Sequence, residues 1–464
     1  MGGLRDIFGV ISAALGQRRR ERWTPEKIRE WQNRRTLELA RFAKERSPFY
    51  RRLYAGIDLS GPVRLSDLPV VDKVAIMEHF DEVVTDSTLH LSELQERLGR
   101  PDVGTPFGKD YRLLSTAGTS GLRGLFVLGR NEWTRVMAAM LRWQRYTGLR
   151  PRPGHRLRVA TVGAGNSLHA SHLLPLGTDV GLYSFRFLSV TTPMEQLVAE
   201  LNEFRPDLLA PYASVAGLLA IEQEQGRLSI QPKIVVTHSE LLTEPIARRV
   251  EETWGTRPFN HYGLSEMPCV GVDCEWHRGI HAFEDLCLIE PVDALGHPVP
   301  PGEVCEKYYL TNFLYQLQPL IRYEISDRIA LSPPGCPCGS PFSLIRTMEG
   351  RNEDSVTMHR PDGSEVRIPP LAFTLAVEDL PGVVEHEFSF REGLAPIEVR
   401  IRPAPEVSPN ELEQTIQSAI ARLLDGFGVV PAEVRVHFAS RFDRDPEKMG
   451  KHKILRKERP EGSG

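Results

Sequence analysis

The chain opens with apolar residues at helical spacing: Leu4, Ile7, Phe8, Ile11 and Leu15 recur every three or four positions, and Arg18, Arg19, Arg20 and Arg22 follow them. A signal peptide would carry a small-residue cleavage site where these arginines stand, so the stretch reads as an amphipathic helix. Three partners are open to its apolar face: lipid headgroups at a membrane surface, its own domain, or a partner subunit such as the second copy of a homodimer. The Met1-Gly2-Gly3 start resembles a myristoylation signal, but Asp6 stands where serine or threonine is required. Thr24-Pro25-Glu26 then predicts a helix start, with Thr24 as cap, and Pro48 closes the apolar-periodic stretch that follows.

From about residue 110 to 265 the pattern changes to short β-branched runs, RLRVAT, DLLAPYA and KIVVTH, separated by helix-period stretches such as MEQLVAELNEF and TEPIARRVEETWG. That alternation predicts an α/β fold with a mainly parallel sheet and crossover helices. Residues 285–331 read as short strands divided by the turn-rich PVDALGHPVPPGE, a β-subdomain at one edge of that body. Beyond Gly350 come an antiparallel pair around HEFSF and IEVRIRP, a helix from about Asn410 to Leu424 and a strand at AEVRVHF, a small α+β unit. The expected division is residues 1–349 and 350–464, with the boundary near 350–354. No run reaches the roughly 18 apolar residues of a spanning helix.

Composition narrows the function classes. The 464 residues, 41% hydrophobic and 25% charged, suit a soluble globular protein. With 57 basic against 61 acidic side chains there is no general attraction to nucleic acid phosphates. Six cysteines in such a length do not make a disulfide framework, and a reducing cytoplasm is the expected compartment.

Five stretches are candidates for chemistry. STAGTSGLRG, residues 115–124, interleaves glycines with hydroxyls after an expected strand Tyr111–Leu114; it suits a phosphate loop or an ordinary turn, and lacks the Gly-Lys-Ser/Thr ending of a Walker loop. FNHYGLSE, residues 259–266, sets an aromatic ring and a carboxylate at a strand end, for a purine face and a hard cation, or merely for a turn. In PLIRYEISDRI, residues 319–329, Asp327 suits both hydroxyls of a ribose, a turn, or an ion pair with Arg328. EGRNEDSV at 349–356 and the basic MGKHKILRK at 449–457 read singly as solvated charge runs.

Their order carries more than any one of them. STAGTSG, YGLSE, RYEISD, GRNED and GKHKILR, in that succession, resemble the motifs of the adenylate-forming superfamily; KERSPFYRRLY, LPVVDK, HSELLTE, CEWHRGIHAFED, PLIRY and CPCGSP narrow the resemblance to its phenylacetate–coenzyme A ligase-like branch, from about Phe42 to Lys457. The resemblance implies adenylation of a carboxylic acid, aromatic or aryl-alkyl by family analogy, with ATP and Mg2+, followed by transfer to coenzyme A. An amine acceptor, transfer of AMP to a hydroxyl, and a non-catalytic nucleotide-binding scaffold are the alternatives. It further implies that Ser115, Thr116, Gly118, Thr119, Ser120 and Gly121 hold phosphates, with Thr119 close to the chemistry. Tyr262, with Gly263 and Ser265 beside it, would stack on adenine, and Glu266 would bind Mg2+. Asp327 and Arg351 would bind the ribose, and the segment through Asp354 would be the hinge of a mobile C-terminal domain. Lys451 would be the catalytic lysine, Lys453 being its alternative. A departure is the loop end, where many members have lysine and this chain has Gly124 beside Arg123.

Cys274 and His281 form C-x6-H, and Cys336 and Cys338 form C-x-C in a Pro/Gly-rich turn; together they would make the Cys3His set of a structural Zn2+ site, with His277 able to replace His281, or four reduced residues facing loops. The resemblance favours zinc, since some members of the branch carry it there. Cys269, Cys287 and Cys305 read as core residues. His169, Ser171, His172 and Tyr212 follow expected strands and are candidates for the acid pocket, or for core and capping positions.

Overall fold

The computed structural model describes residues 4–61, 63–98, 100, 104–116, 122–149, 156–165, 182–391, 394–405, 407–429, 433–442, 444, 451 and 455–458. His169, Ser171, His172, Lys453 and the loop tip from Gly118 to Gly121 lie outside them.

Among the described residues, nine strands join in one mixed sheet. Five are parallel, in the spatial order Tyr183–Ser189, Leu157–Gly163, Leu208–Pro211, Ile234–His238 and Phe259–Tyr262. Four antiparallel strands continue it: Gly271–Val272, Ile280–Ala282, Leu344–Arg351 and Asp327–Ser332. The period of two along each parallel strand sorts neighbours to opposite faces. Val159, Leu208, Ile234 and Val236 enter one core, while Ala160, Val162, Leu209 and Val235 enter another, under the helices Met194–Phe204, Ala213–Glu224 and Glu244–Trp254. The carboxyl ends of Leu208–Pro211, Ile234–His238 and Phe259–Tyr262 therefore emerge side by side, where open α/β sheets bind ligands.

A three-stranded antiparallel sheet, Cys287–Val292, Lys307–Asn312 and Tyr323–Ile325, makes up most of the expected β-subdomain, whose last residues instead join the large sheet in Asp327–Ser332. After Arg351 come a short turn of 3-10 helix, Asn352–Asp354, the hairpin Val356–His359 with Glu365–Ile368, and a four-stranded sheet backed by Pro370–Val377 and Pro409–Gly426. Phe373, Phe388, Ile397, Ile401, Ile416 and Ile420 centre a core whose buried members all follow Arg351.

Two local expectations shift. The strand before the glycine loop is Arg112–Ser115, one residue later than read, paired with Leu125–Leu128. Pro48 opens a new helix, Pro48–Leu53, with the Ser47 hydroxyl accepting from the Tyr50 N–H, because proline suits a first helical turn. Cys269, Cys287 and Cys305 are buried, as read.

The helix Leu4–Arg20 packs on Arg130–Leu141 through Val10, Ala13, Ala14 and Gln17, the last donating to the Arg135 carbonyl at 3.1 Å. A buried ion cluster locks its end. Arg142 donates to both oxygens of Asp285 at 2.7 and 2.9 Å and meets Glu21 at 2.9 Å, and Arg20 reaches Asp285 at 2.8 Å.

Candidate functional site

The site assembles where five remote stretches meet. The strand Phe259–Tyr262 ends in a tight turn that needs Gly263, since a Cβ there would lie 2.2 Å from the Pro268 carbonyl oxygen. That turn aims Ser265 and Glu266 across the sheet end. The Ser265 hydroxyl donates to the Ser115 carbonyl at 3.1 Å, tying YGLSE to the root of the glycine loop. The root itself is closed by Thr116, whose N–H reaches Gly124 O at 2.9 Å and whose hydroxyl accepts from Gly124 N–H at 2.8 Å. Ser115 Oγ is buried with no hydrogen-bond partner among the described residues.

Tyr262 is buried and donates its hydroxyl proton to Asp327 at 2.5 Å, with the Tyr308 hydroxyl 2.6 Å away. Asp327 and Arg351 face each other in the register of their antiparallel strands, so their side chains meet at 3.4 Å. Arg328 points elsewhere, to Glu306 and Glu349. Arg322 is structural: it donates to the Leu68 carbonyl at 2.6 Å and pairs with Glu290.

Glu266 is buried, and the Tyr323 hydroxyl donates to it at 3.3 Å. Burial pushes its carboxyl up, while Arg351 and Lys73 pull the other way. Lys451 arrives from the far end of the chain. Burial, with Arg351 nearby, lowers its ammonium from 10.5 to about 8, and Glu240, Asp327 and Glu266 hold it up. Residues more than 180 positions apart in sequence thus share one electrostatic field, which includes an acid (Glu266), an acid–guanidinium pair (Asp327 and Arg351) and an amine (Lys451).

Several members of the site were not singled out in the sequence. Lys73 lies in LPVVDK and Glu240 in HSELLTE, so order relative to the motifs is their signal. Arg444 had none: its guanidinium donates to Ser214 Oγ at 2.9 Å and stands 3.6 Å from Glu240, seven positions before Lys451. His238 and His261 are neighbours in register, and burial holds them neutral, down to about 4 and about 3. His238 Nε2–H donates to Ala210 O at 3.1 Å and Nδ1 accepts from Ser239 at 3.0 Å. Tyr212 is fully buried, its ring 5.3 Å from His238 and edge-on to it. A cavity of 280 Å³ lies between the sheet body and the C-terminal unit, lined by Ser214, Ser239, Glu240, Arg249, Glu378 and Lys451 among others.

A second cluster shares no residue with this one. The metal-binding atoms of Cys274, His281, Cys336 and Cys338 all lie within 4.8 Å of one another. Cys274 and Cys336 sulfurs are 3.5 Å apart, and Cys338 sulfur is 3.4 Å from His281 Nε2. Thiolates on one tetrahedral zinc sit about 3.8 Å apart, so the donor set fits. His277 is not part of it: its Nδ1 pairs with Asp273 at 2.7 Å and its ring packs on Phe259.

No family model matches the chain. It is 26% identical over 379 residues to the phenylacetate–coenzyme A ligase of Thermus thermophilus, covering 78% of this chain and 77% of that protein. Among solved structures it resembles 2-hydroxyisobutyryl-CoA ligase in the postadenylation state with 2-HIB-AMP, at TM-score 0.74 and 21% identity over 95% of this chain and 91% of the other. The same enzyme with 2-HIB-AMP and CoA in the thioesterification state matches at TM-score 0.58 and 21% identity, over 95% and 92%. Motif order, the mixed sheet with its separate C-terminal core, and these likenesses together make the chain similar to the phenylacetate–coenzyme A ligases in sequence and to an acyl-CoA ligase in fold.

Proposed function

We propose that the chain is an AMP-forming acid–coenzyme A ligase: it activates a carboxylic acid, aromatic or aryl-alkyl in type, with ATP, then passes the acyl group to coenzyme A. The observation that carries the reading is the convergence of Lys451 with Glu266, Asp327 and Arg351 at the carboxyl ends of the sheet. The named activity of the Thermus relative supports it.

In the first half-reaction a carboxylate oxygen of the acid attacks the α-phosphorus, the new C–O–P anhydride forms, and the bond to the β-phosphate breaks. Asp327 accepts from the ribose hydroxyls, with Arg351 fixing the carboxylate, and Tyr262 presents its ring to adenine. Thr116 and Ser115 root the loop through Gly121 that would hold the outer phosphates. Lys451 offsets the repulsion between the attacking carboxylate and the phosphate, a positioned charge of the kind that dominates such catalysis. Glu266 fits a divalent cation, being a hard oxygen donor whose anion is destabilised by burial until positive charge joins it. Mg2+ there would stabilise the departing pyrophosphate.

In the second half-reaction the thiol of coenzyme A, giving its proton to solvent, forms a C–S bond and AMP leaves. Lys451 must first withdraw. The hinge is assigned to residues 350–354, where Gly350 has φ of 91° at the end of its strand and a short 3-10 turn follows. A better match to the postadenylation than to the thioesterification form of one enzyme supports an arrangement suited to the first step. Zn2+, held by Cys274, His281, Cys336 and Cys338, would tie together the turns at three neighbouring strands and take no part in the chemistry.

The test is acid-dependent exchange of labelled pyrophosphate into ATP over a panel of aromatic, aryl-alkyl and aliphatic acids, followed by coenzyme A. Exchange with an aromatic acid and thioester formation support the reading. Exchange without a thioester moves the acceptor to an amine, and ATP binding with no exchange overturns the ligase reading in favour of a scaffold or of AMP transfer to a hydroxyl.

A further inference from the structure

The N-terminal helix packs on its neighbour by the face that carries Val10, Ala14 and Gln17, and turns the more apolar stripe away from the protein. Phe8 is 68% exposed, Ile11 44% and Leu15 55%. At about 100° per residue these three fall in a sector of about 60°, roughly 130° from the packed face. Arg18 and Arg19 border the same sector, each about 20° beyond its edge. Arg18, Arg19 and Arg22 are exposed and have no carboxylate partner among the described residues, whereas Arg20 and Glu21 are spent on Asp285, Arg142 and Arg145.

We infer that this helix face is a docking surface for an anionic lipid bilayer, with Phe8, Ile11 and Leu15 entering the interface and Arg18, Arg19 and Arg22 on the headgroup phosphates. Charge complementarity selects the partner. The whole chain carries a formal charge of −4 and would be repelled by such a surface, yet Arg18, Arg19 and Arg22 gather at one end of this exposed stripe. A second copy of the chain is a poorer fit. Three side chains expose roughly 300 Å² between them, well short of the about 800 Å² that each partner of a stable dimer buries. The rest of the helix supports the arrangement, because the Arg142–Asp285–Glu21 cluster fixes its basic end to the body and holds the stripe outward. The inference is independent of the ligase reading.

The test is flotation of the full chain with vesicles of phosphatidylcholine alone and of equal parts phosphatidylcholine and phosphatidylglycerol, at low and high salt. The expected result is salt-sensitive binding to the anionic vesicles only. Arg18→Glu with Arg19→Glu should weaken it by about tenfold or more, since each basic residue near an anionic surface contributes about a factor of five. Phe8→Ser, Ile11→Ser and Leu15→Ser combined should abolish it, with unfolding midpoint unchanged because all three are exposed. No binding to anionic vesicles overturns the inference, as does binding that the arginine variant or salt leaves intact. A lipid-free dimer in sedimentation equilibrium that the serine variant dissociates also overturns it and gives the face to a second copy.

Discussion

If Lys451 supplies charge to the first half-reaction, the pH profile must carry its signature. Its ammonium falls from 10.5 to about 8 where burial and Arg351 surround it. Each tenfold in proton affinity is about 1.4 kcal/mol, so the site disfavours the charged form by about 3 kcal/mol relative to water. Two effects of opposite sign follow. A docked lysine with a lowered pKa makes docking easier as pH rises through 8 towards 10.5, because the neutral amine meets no desolvation penalty. Chemistry needs the charge, so kcat/KM for adenylation, which reports the free enzyme, should fall tenfold per pH unit above about 8. Bound triphosphate raises the lysine's proton affinity, so the same limb in kcat should lie at higher pH. Initial rates of pyrophosphate release between neutrality and strong base measure both limbs. Lys451→Arg, always protonated, should remove the basic limb, and Lys451→Ala should lower kcat by about 10²–10³, the usual loss for one preorganised charge donor. A limb that persists unchanged in Lys451→Arg, or full activity in Lys451→Ala, would refute the assignment and turn attention to Lys453.

Four other outcomes are expected. Arg444→Ala frees the lysine-bearing segment from Ser214 and Glu240, so adenylation should slow by at least about tenfold while thioester formation from synthetic acyl-AMP stays near wild type; equal loss in both steps argues against a docking role. Cys336→Ser should release one equivalent of Zn2+ and lower the unfolding midpoint, read by metal analysis and calorimetry; no bound zinc in the intact protein would remove the site. Asp285→Ala leaves the Arg142 guanidinium, 2% exposed, short of its bidentate partner, and denaturant unfolding should show a loss of about 3–5 kcal/mol; a loss under about 1 kcal/mol would mean the cluster relaxes. Glu378, on the C-terminal unit against Thr243, is pushed by burial from 4.5 up to about 7, so its contribution to docking is full below 4.5 and lost as pH rises to 7; limited proteolysis at 350–354 should increase over that window and become flat in Glu378→Gln.

Much of the fold was legible because it follows local rules. Short β-branched runs mark RLRVAT and KIVVTH as strands, caps and prolines mark helix starts, and YGLSE has to stand at a strand end once the sheet is parallel. Even the set of residues that the fold brings together at the sheet end was largely readable from motif order. Geometry between remote segments was not. That Asp327 faces Arg351 and not Arg328 depends on the register of two strands separated by a long turn, and a slip of one residue would reverse it. His281 rather than His277 joins the cysteines because only it lies on the strand beside Leu344–Arg351. Arg444 meets Ser214 and Glu240 only because the C-terminal segment folds back on the sheet body. The N-terminal helix was recognised from its spacing, but which of its faces is covered was decided by Arg130–Leu141 and the Asp285 cluster, since amphipathic periodicity specifies a stripe and tertiary packing chooses what meets it.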